Sequence, residues 1–451
     1  MSHDLGSGSV KKLLFRLAAP AVLAQVVNLL YNIVDRIYIG HIPRIGPAAL
    51  TGVGLFAPIL MLLNAFAMLI GSGGAPLAAI AMGKGDKEKA QRIMGNCFTA
   101  LFFLSLVLTV VFYIFAPQLL IFFGASNDTL PYALDYSRIY ILGTICVLMV
   151  MGMNPFITTQ GFAKISMLTT VIGAVINIVL DPIFMFVFDL GVRGAAIATV
   201  LSQLVSALWI LRFLTSDRTV LRLCRQDLRL SSATVLPCLA LGVSTFVMLS
   251  TESLLSVSFT NSLAKYGTDL DVGAMTVLNS LVMLITMPLS GLCQGSQPLI
   301  SYNFGAGRYD RVKQTFYTIF AVCVGYSTLF WLALLAAPSL FAGLFVSDEA
   351  FAQRAVWAIG IYFACAFSHG FQTCCQQSFV ALGQAKISLL LACLRKIVLL
   401  IPLIFILPHF FENKVVAVFF AEPVSDVIAA AITTVVFFTS FDKILKQNEI
   451  R

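Results

Sequence analysis

Acidic and amide side chains occur inside long apolar stretches of this sequence, where an ionisable group is costly and is therefore a functional candidate. The first stretch carries four polar residues: Gln25, Asn28, Asn32 and Asp35. Their spacings of 3, 4 and 3 residues place them on one face of a helix. In a later stretch Asn177 and Asp181 lie four residues apart, so they also share a face, and Pro182 follows.

The depth of these groups follows from the helical rise of about 1.5 Å per residue. By that rise, Asp35 lies about 35 Å from the start of its helix and Asp181 about 25 Å from the start of its own. Tyr136 and Thr199, near the starts of two other helices, reach the same depth from the opposite side. The sequence therefore predicts one oxygen-rich cluster: Asp35, Asn177, Asp181 and Thr199, with Tyr136 at the same level.

Two kinds of chemistry suit this cluster. It can hold Na⁺ through its carboxylate, amide and hydroxyl oxygens, or it can carry a proton on one of two buried carboxyl groups. The alternative is structural: Asp35 pairs with Arg36, and Asp181 caps the kink at Pro182.

A second set of polar residues occupies later apolar stretches: Glu252, Ser256, His369, Thr373, Gln377, Arg395, Lys396, Glu422 and Asp426. We favour a buried structural ion pair between Arg395 and either Asp426 or Glu422. The functional alternative is that this set binds a cationic substrate or the coupling ion. For His369, a hydrogen-bonded core histidine is favoured over a proton relay.

The composition indicates which elements position these groups. Only 11% of the 451 residues are charged, against about 25% in soluble domains. Apolar runs longer than about 20 residues, without strict alternation, predict membrane-spanning helices. We predict an all-α integral membrane protein with twelve spans: 13–39, 50–80, 93–116, 131–155, 165–188, 193–215, 233–262, 272–300, 314–337, 351–381, 387–408 and 414–441.

The sequence also repeats itself. The segment GKGDKEK at 83–89 matches GAGRYDR at 305–311, and GFAKIS at 161–166 matches GQAKIS at 383–388, both at an offset of 222. Six spans in each half give parallel repeats, related by a pseudo-two-fold axis along the membrane normal. We predict an N-lobe at 1–211, a linker at 212–232 and a C-lobe at 233–451.

Most of the 29 basic residues fall in loops on one side, which predicts that this side and both termini are cytoplasmic in a multi-pass protein of the cell (inner) membrane. The net charge of +8 then needs no nucleic acid to explain it. The ten Cys residues include no CxxC pair and are expected to be core residues.

Several motifs are missing. The Gly-x-Gly turns at 83–85 and 305–307 have no preceding strand and no following GK[ST], so they are not phosphate loops. No HExxH, Ser-His-Asp arrangement or metal-ligand cluster is apparent. We therefore expect that the protein is not an enzyme, that it needs no cofactor and that it uses H⁺ or Na⁺ as a coupling ion.

Five features together resemble the MATE (multidrug and toxic compound extrusion) family: NLLYNIVD at 28–35 with Gly40, the paired Gly-x-Gly turns, NIVLDP at 177–182, GAAIAT at 194–199 and AEPVSD at 421–426. The resemblance covers essentially the whole chain. It implies two six-helix lobes that rock between outward- and inward-open states and exchange organic cations or amphipathic drugs for H⁺ or Na⁺. Arg395 departs from the common pattern.

The resemblance places the cation-coupling site at Asp35, Asn177, Asp181 and Thr199, with Tyr136 nearby; these residues, apart from Tyr136, would hold Na⁺ in a Na⁺-coupled transporter. It maps the family's acidic residue on the seventh helix to Glu252. We expect five residues to bind the substrate: Gln25, Asn28, Asn32, Gln203 and Glu252.

We expect a monomer in the lipid bilayer that takes small amphipathic cations and binds no nucleic acid. The nearest alternative is a flippase for a lipid-linked saccharide of the same architecture. Such flippases usually have a strongly basic cavity, and the acidic character of the predicted cluster disfavours that interpretation. The choice between H⁺ and Na⁺ stays open, because the same carboxylates serve either.

Overall fold

The computed structural model describes residues 5–43, 45–345 and 349–449, and in these ranges all regular structure is helical. The helices up to residue 214 are α1 (Val10–Gly40), α2 (Gly46–Gly54), α3 (Ala57–Gly83), α4 (Lys87–Phe122), α5 (Leu130–Leu142), α6 (Thr144–Thr159), α7 (Ala163–Pro182) and α8 (Gly191–Leu214). From residue 232 they are α9 (Ser232–Tyr266), α10 (Asp269–Gly305), α11 (Tyr309–Ala336), α12 (Pro338–Gly343), α13 (Glu349–Tyr362), α14 (Ser368–Ala381), α15 (Ala385–Cys393), α16 (Ile401–Ile406) and α17 (Lys414–Glu449). The all-α class is therefore confirmed.

Within the described residues, ten helical segments are long and apolar enough to cross a membrane. The count becomes eleven if α5 and α6, which meet at a bend of 58°, form one broken span. The predicted span at 351–381 corresponds to α13 and α14, two helices of 14 residues each. Each is shorter than the roughly 20 residues that a spanning helix needs, so the count of twelve is not confirmed.

Two helices change their winding near a proline. After Pro182, α7 continues as a π-helical segment over Ile183–Val187. Between α15 and α16 a second π-helical segment runs over Leu394–Leu400, two residues before Pro402. Proline donates no backbone N–H, which interrupts the hydrogen-bond ladder, and a locally wider helix re-aims the side chains that it carries.

The turns confirm the repeat. Gly85 and Gly307 both have positive φ, 81° and 67°, and Gly161 and Gly383 have φ of 85° and 71°. Members of each pair are separated by the offset seen in the sequence. Glycine adopts this backbone region most readily, so the pairs mark equivalent helix ends in the two repeats.

The two repeats touch at one end of the molecule. A Cβ atom at Gly73 would overlap the Cys238 carbonyl, and one at Gly242 would overlap the Leu69 carbonyl, so α3 and α9 pack backbone to backbone. Likewise, a Cβ atom at Gly295 would collide with the backbone of Ala18, which brings α10 against α1. All these contacts lie toward the ends where α1 and α9 begin and where α3 and α10 finish.

The buried apolar residues form two clusters. One contains side chains from α2 to α8 and the other is drawn mostly from α9 to α17. All ten cysteines are free thiols and most are buried, as predicted for core residues.

Candidate cation site and charged network

The polar centre of the first repeat is formed by α7 and α8. Asn177 Nδ2 donates to Asp181 Oδ1 at 3.1 Å and to Thr199 Oγ1 at 3.3 Å. The Thr199 hydroxyl in turn donates to the Ala195 carbonyl at 2.9 Å. Asp181 is fully buried, at 0% exposure. The spacing of four residues between Asn177 and Asp181 produces this contact, because it places both on one face of α7.

Two further helices complete the cluster. Asp35, on α1, lies close enough to Asp181 for the two carboxyl groups to interact electrostatically. Tyr136, on α5, lies beside Thr199 and close enough to Asp35 for its charge to act on the Tyr136 hydroxyl. The structure therefore brings together all five residues predicted for cation coupling, from four different helices.

Three acceptor oxygens in this cluster are buried and have no hydrogen-bond partner among the described residues: Asp35 Oδ1, Asn177 Oδ1 and Asp181 Oδ2. Burying an acceptor without a partner costs free energy, most of all for a carboxylate. A hard cation or a proton supplies the missing interaction, since carboxylate and carbonyl oxygens are the ligands that hard cations prefer. The arrangement can thus bind Na⁺ or take up a proton.

Aromatic side chains form a wall beside the cluster. Tyr136 stacks on Tyr140 with ring centroids 5.9 Å apart, and both meet the buried Phe56 edge to face at 5.7 and 5.3 Å. Tyr31, four residues before Asp35, is close enough to feel its charge. These neighbours were not predicted from the sequence, although Tyr31 and Tyr140 each lie four residues from a predicted site residue, Asp35 and Tyr136.

The five residues predicted to bind substrate have different partners. Gln25 Nε2 donates to Gln294 Oε1 at 3.3 Å, which joins α1 to α10. Asn32 Nδ2 donates to the Asn28 carbonyl at 2.7 Å. Gln203 has a buried Oε1 that lacks a partner in the described ranges. The fifth, Glu252, pairs with a lysine described below, so direct contacts do not assemble the five into one site.

The second repeat contains the predicted ion pair. Arg395 Nη2 lies 2.7 Å from Asp426 Oδ1, and its Nε lies 2.9 Å from the same oxygen. Glu422 Oε1 is farther from the guanidinium, at 3.5 Å. The prediction of a buried pair between Arg395 and one of these acids is confirmed, with Asp426 as the main partner.

His369 joins this network. Its Nδ1 lies 3.3 Å from Asp426 Oδ2, and ligand atoms of His369, Glu422 and Asp426 all fall within 4.8 Å of one another. No metal-ligand cluster is apparent in the sequence because these three residues are distant from one another along the chain and meet only in the fold. Arg395 touches all three, and its positive charge disfavours a metal ion there.

A second ion pair was missed. Lys396 Nζ pairs with Glu252 on α9 and also donates to the Met248 carbonyl at 2.8 Å. Consecutive side chains on a helix point in different directions, so adjacent Arg395 and Lys396 must face different neighbours. The adjacency of Arg395 and Lys396 could therefore have predicted a second ion pair, but it does not identify the acidic residue that each cation contacts.

The family model MatE matches residues 20–183 and 243–406, most of the chain. The chain belongs to the MatE family. Its two matched ranges correspond to the two repeats, and the family is the one that the sequence motifs resemble.

Relatives agree with this assignment. The chain is 24% identical over 405 residues to the multidrug export protein MepA of Staphylococcus aureus (strain N315), covering 89% of this chain and 88% of MepA. It is 25% identical over 404 residues to MepA of Staphylococcus haemolyticus (strain JCSC1435), with the same coverage.

Solved structures share the fold. A crystal structure of MATE in complex with MaD3S is similar with a TM-score of 0.91 and 23% identity, covering 98% of this chain and 99% of the other. An outward-facing multidrug resistance MATE family transporter of the MOP superfamily gives a TM-score of 0.91 at 22% identity, covering 98% of each chain. The multi-pass helical membrane fold of the MatE chain is thereby established.

Proposed function

We propose that this MatE-family protein is a secondary active exporter that exchanges amphipathic organic cations for H⁺ or Na⁺ by alternating access. The observation that carries the proposal is the group of three unpartnered acceptor oxygens on Asp35, Asn177 and Asp181. A cation that binds there satisfies these buried acceptors and so lowers the free energy of the site. Export of drugs by MepA, as its name states, supports the choice of substrate class.

The coupling cluster consists of Asp35, Asn177, Asp181 and Thr199, with Tyr136 beside Thr199. Entry of the external cation stabilises a state with weaker affinity for the drug, and the drug leaves outward. Coupling requires that the cation bind the two states with different affinities, since equal affinity would shift nothing.

Alternating access follows from two lobes, 1–211 and 233–451, joined by the linker 212–232. We place the backbone-to-backbone contacts of α3 with α9 and of α1 with α10 at the cytoplasmic end, because the basic loops lie on that side. Both termini then lie on the cytoplasmic side of the cell membrane. Closure at this end supports an outward-facing state, in which the coupling ion reaches Asp35 from outside.

The test is uptake of a fluorescent organic cation into inside-out vesicles under an imposed H⁺ or Na⁺ gradient. Wild-type protein should accumulate the cation under one gradient, which names the coupling ion. Asp35→Asn should abolish this uptake, because the amide keeps the shape but loses the charge. Asp189→Asn is the matched control: Asp189 is exposed, its φ is 52°, and asparagine tolerates that backbone conformation.

Absence of uptake under either gradient would contradict the exporter proposal and make the lipid-linked saccharide flippase the first candidate. Uptake that persists in Asp35→Asn would leave export intact but move coupling to the second lobe, around Glu252.

A further inference from the structure

The pair of Lys396 and Glu252 has unequal surroundings. The Lys396 side chain is only 5% exposed, whereas that of Glu252 is 51% exposed. A charged carboxylate on a membrane-spanning helix is not stable against lipid, so the open side of Glu252 faces water. Glu252 is therefore accessible to a ligand while its resident partner is held from inside the protein.

Arg395, next to Lys396 in the chain, is held by more contacts than Lys396 is. Two of its guanidinium nitrogens lie within 2.9 Å of Asp426, and Ser425 Oγ donates to its carbonyl at 3.0 Å. Lys396 instead carries a single flexible ammonium on the same π-helical segment, held by Glu252 and one carbonyl. Of the two cations, Lys396 is the one that can change partners.

A second acceptor for that ammonium already exists. Glu422 Oε2 is buried without a hydrogen-bond partner among the described residues, and Glu422 Oε1 lies 3.5 Å from Arg395. Lys396 and Glu422 are close enough for each charge to act on the other. Glu252, Glu422 and Asp426 outnumber the two side-chain cations by one, so the network can accept one further positive charge.

We propose that Lys396 is a resident cation that occupies Glu252 in the empty transporter and moves to Glu422 when an organic cation binds Glu252. The move gives Glu252, Glu422 and Asp426 one positive partner each once the organic cation is bound, whereas in the empty state Glu422 has only the more distant Arg395, 3.5 Å away. It also selects for substrates that carry a positive charge, because a neutral or anionic compound cannot replace the ammonium. The inference rests on the proposed export of organic cations.

The test measures equilibrium binding of tetraphenylphosphonium, a permanently charged cation, to the purified full-length protein in nanodiscs. Lys396→Met should bind it about tenfold more tightly, because the competing ammonium is gone. Lys396→Arg should stay close to wild type. Lys396→Met combined with Glu252→Gln should lose the gain, and Lys313→Met, which removes an exposed lysine paired with Asp442, should change nothing.

Glu422→Gln provides a second, independent measurement. It removes the alternative partner of Lys396 and should weaken binding of the cation, while the pair with Glu252 remains. Unchanged or weaker binding by Lys396→Met would overturn the inference, and if that variant cannot be purified, unchanged binding by Glu422→Gln would do so. Gradient-driven uptake by wild type separates the two proposals: its absence defeats the exporter, whereas its presence without the binding pattern defeats only the role of Lys396.

Discussion

Gly83 and Gly305 pack reciprocally across the junction of the two repeats. A Cβ atom on Gly83 would overlap the Tyr302 carbonyl, and one on Gly305 would overlap the Ile80 carbonyl. The four positions form two pairs related by the same sequence offset, so the contact obeys the pseudo-two-fold symmetry. It allows the backbones of α3 and α10 to touch at the end where the repeats meet.

Replacing either glycine by alanine should loosen this junction. Overpacking of this kind costs about 1–3 kcal/mol. We expect Gly83→Ala and Gly305→Ala to lower the thermal unfolding midpoint in detergent and to increase labelling of cysteines introduced at this end. Gly325→Ala is the control, since nothing lies within 4 Å of its Cβ position, and it should not be destabilising. Equal effects at all three positions would contradict the close packing.

The hydroxyl of Thr199 should matter for the coupling ion. It accepts from Asn177, so Thr199→Val removes an acceptor while keeping the shape. A lost hydrogen bond of this type costs about 0.5–1.5 kcal/mol, which corresponds to a loss of coupling-ion affinity of up to about tenfold. Thr199→Ser retains the hydroxyl and should stay near wild type. The measurement is uptake as a function of ion concentration; identical curves for both variants would refute this role.

Arg395 should be essential for the stability of the second repeat. Arg395→Met removes the guanidinium beside the buried Asp426 and Glu422 and leaves Asp426, among the described residues, with His369 alone, which we expect to destabilise the protein by about 3–5 kcal/mol. Adding Asp426→Asn should restore part of the loss, because one unpaired charge is removed. Arg222→Met, in an exposed pair with Asp217, should have little effect on the unfolding midpoint. A mild effect of Arg395→Met would show that Asp426 is solvated.

A further ion pair joins α10 to α13. Arg354 Nε lies 2.5 Å from the buried Asp271, and the guanidinium stacks 3.9 Å from the Trp357 ring centroid. Asp271 Oδ2 also accepts from the Thr268 backbone N–H at 2.8 Å, which caps α10. Asp271→Ala removes both interactions and should cost about 1–3 kcal/mol.

Two comparisons test this pair by thermal unfolding. Arg354→Lys should be partly destabilising, since lysine lacks the planar group that stacks on Trp357. Asp442→Asn, in an exposed pair with Lys313, should leave the midpoint almost unchanged. If Asp271→Ala behaves like Asp442→Asn, the cap and the pair contribute nothing measurable.

Much of the fold was predictable because its signals are local or periodic. Apolar runs predicted helices at the right places, and a constant offset predicted the repeat. The number of membrane spans was harder to predict. A short turn separates α13 and α14 within a continuous apolar run, and hydropathy alone cannot reveal such a break in a helix. The bend between α5 and α6 escaped prediction for the same reason.

By itself, the sequence determined the membrane class and the repeat, and it predicted that the members of the first polar cluster share one depth, because helical spacing and depth along a helix follow from residue numbers alone. Only the tertiary structure decided which side chains meet across helices. It paired Lys396 with Glu252 and Arg395 with Asp426, and it brought His369 to Glu422. The physical reason is that such pairings depend on how each helix is rotated and tilted against its neighbours, and packing of the whole bundle sets those angles.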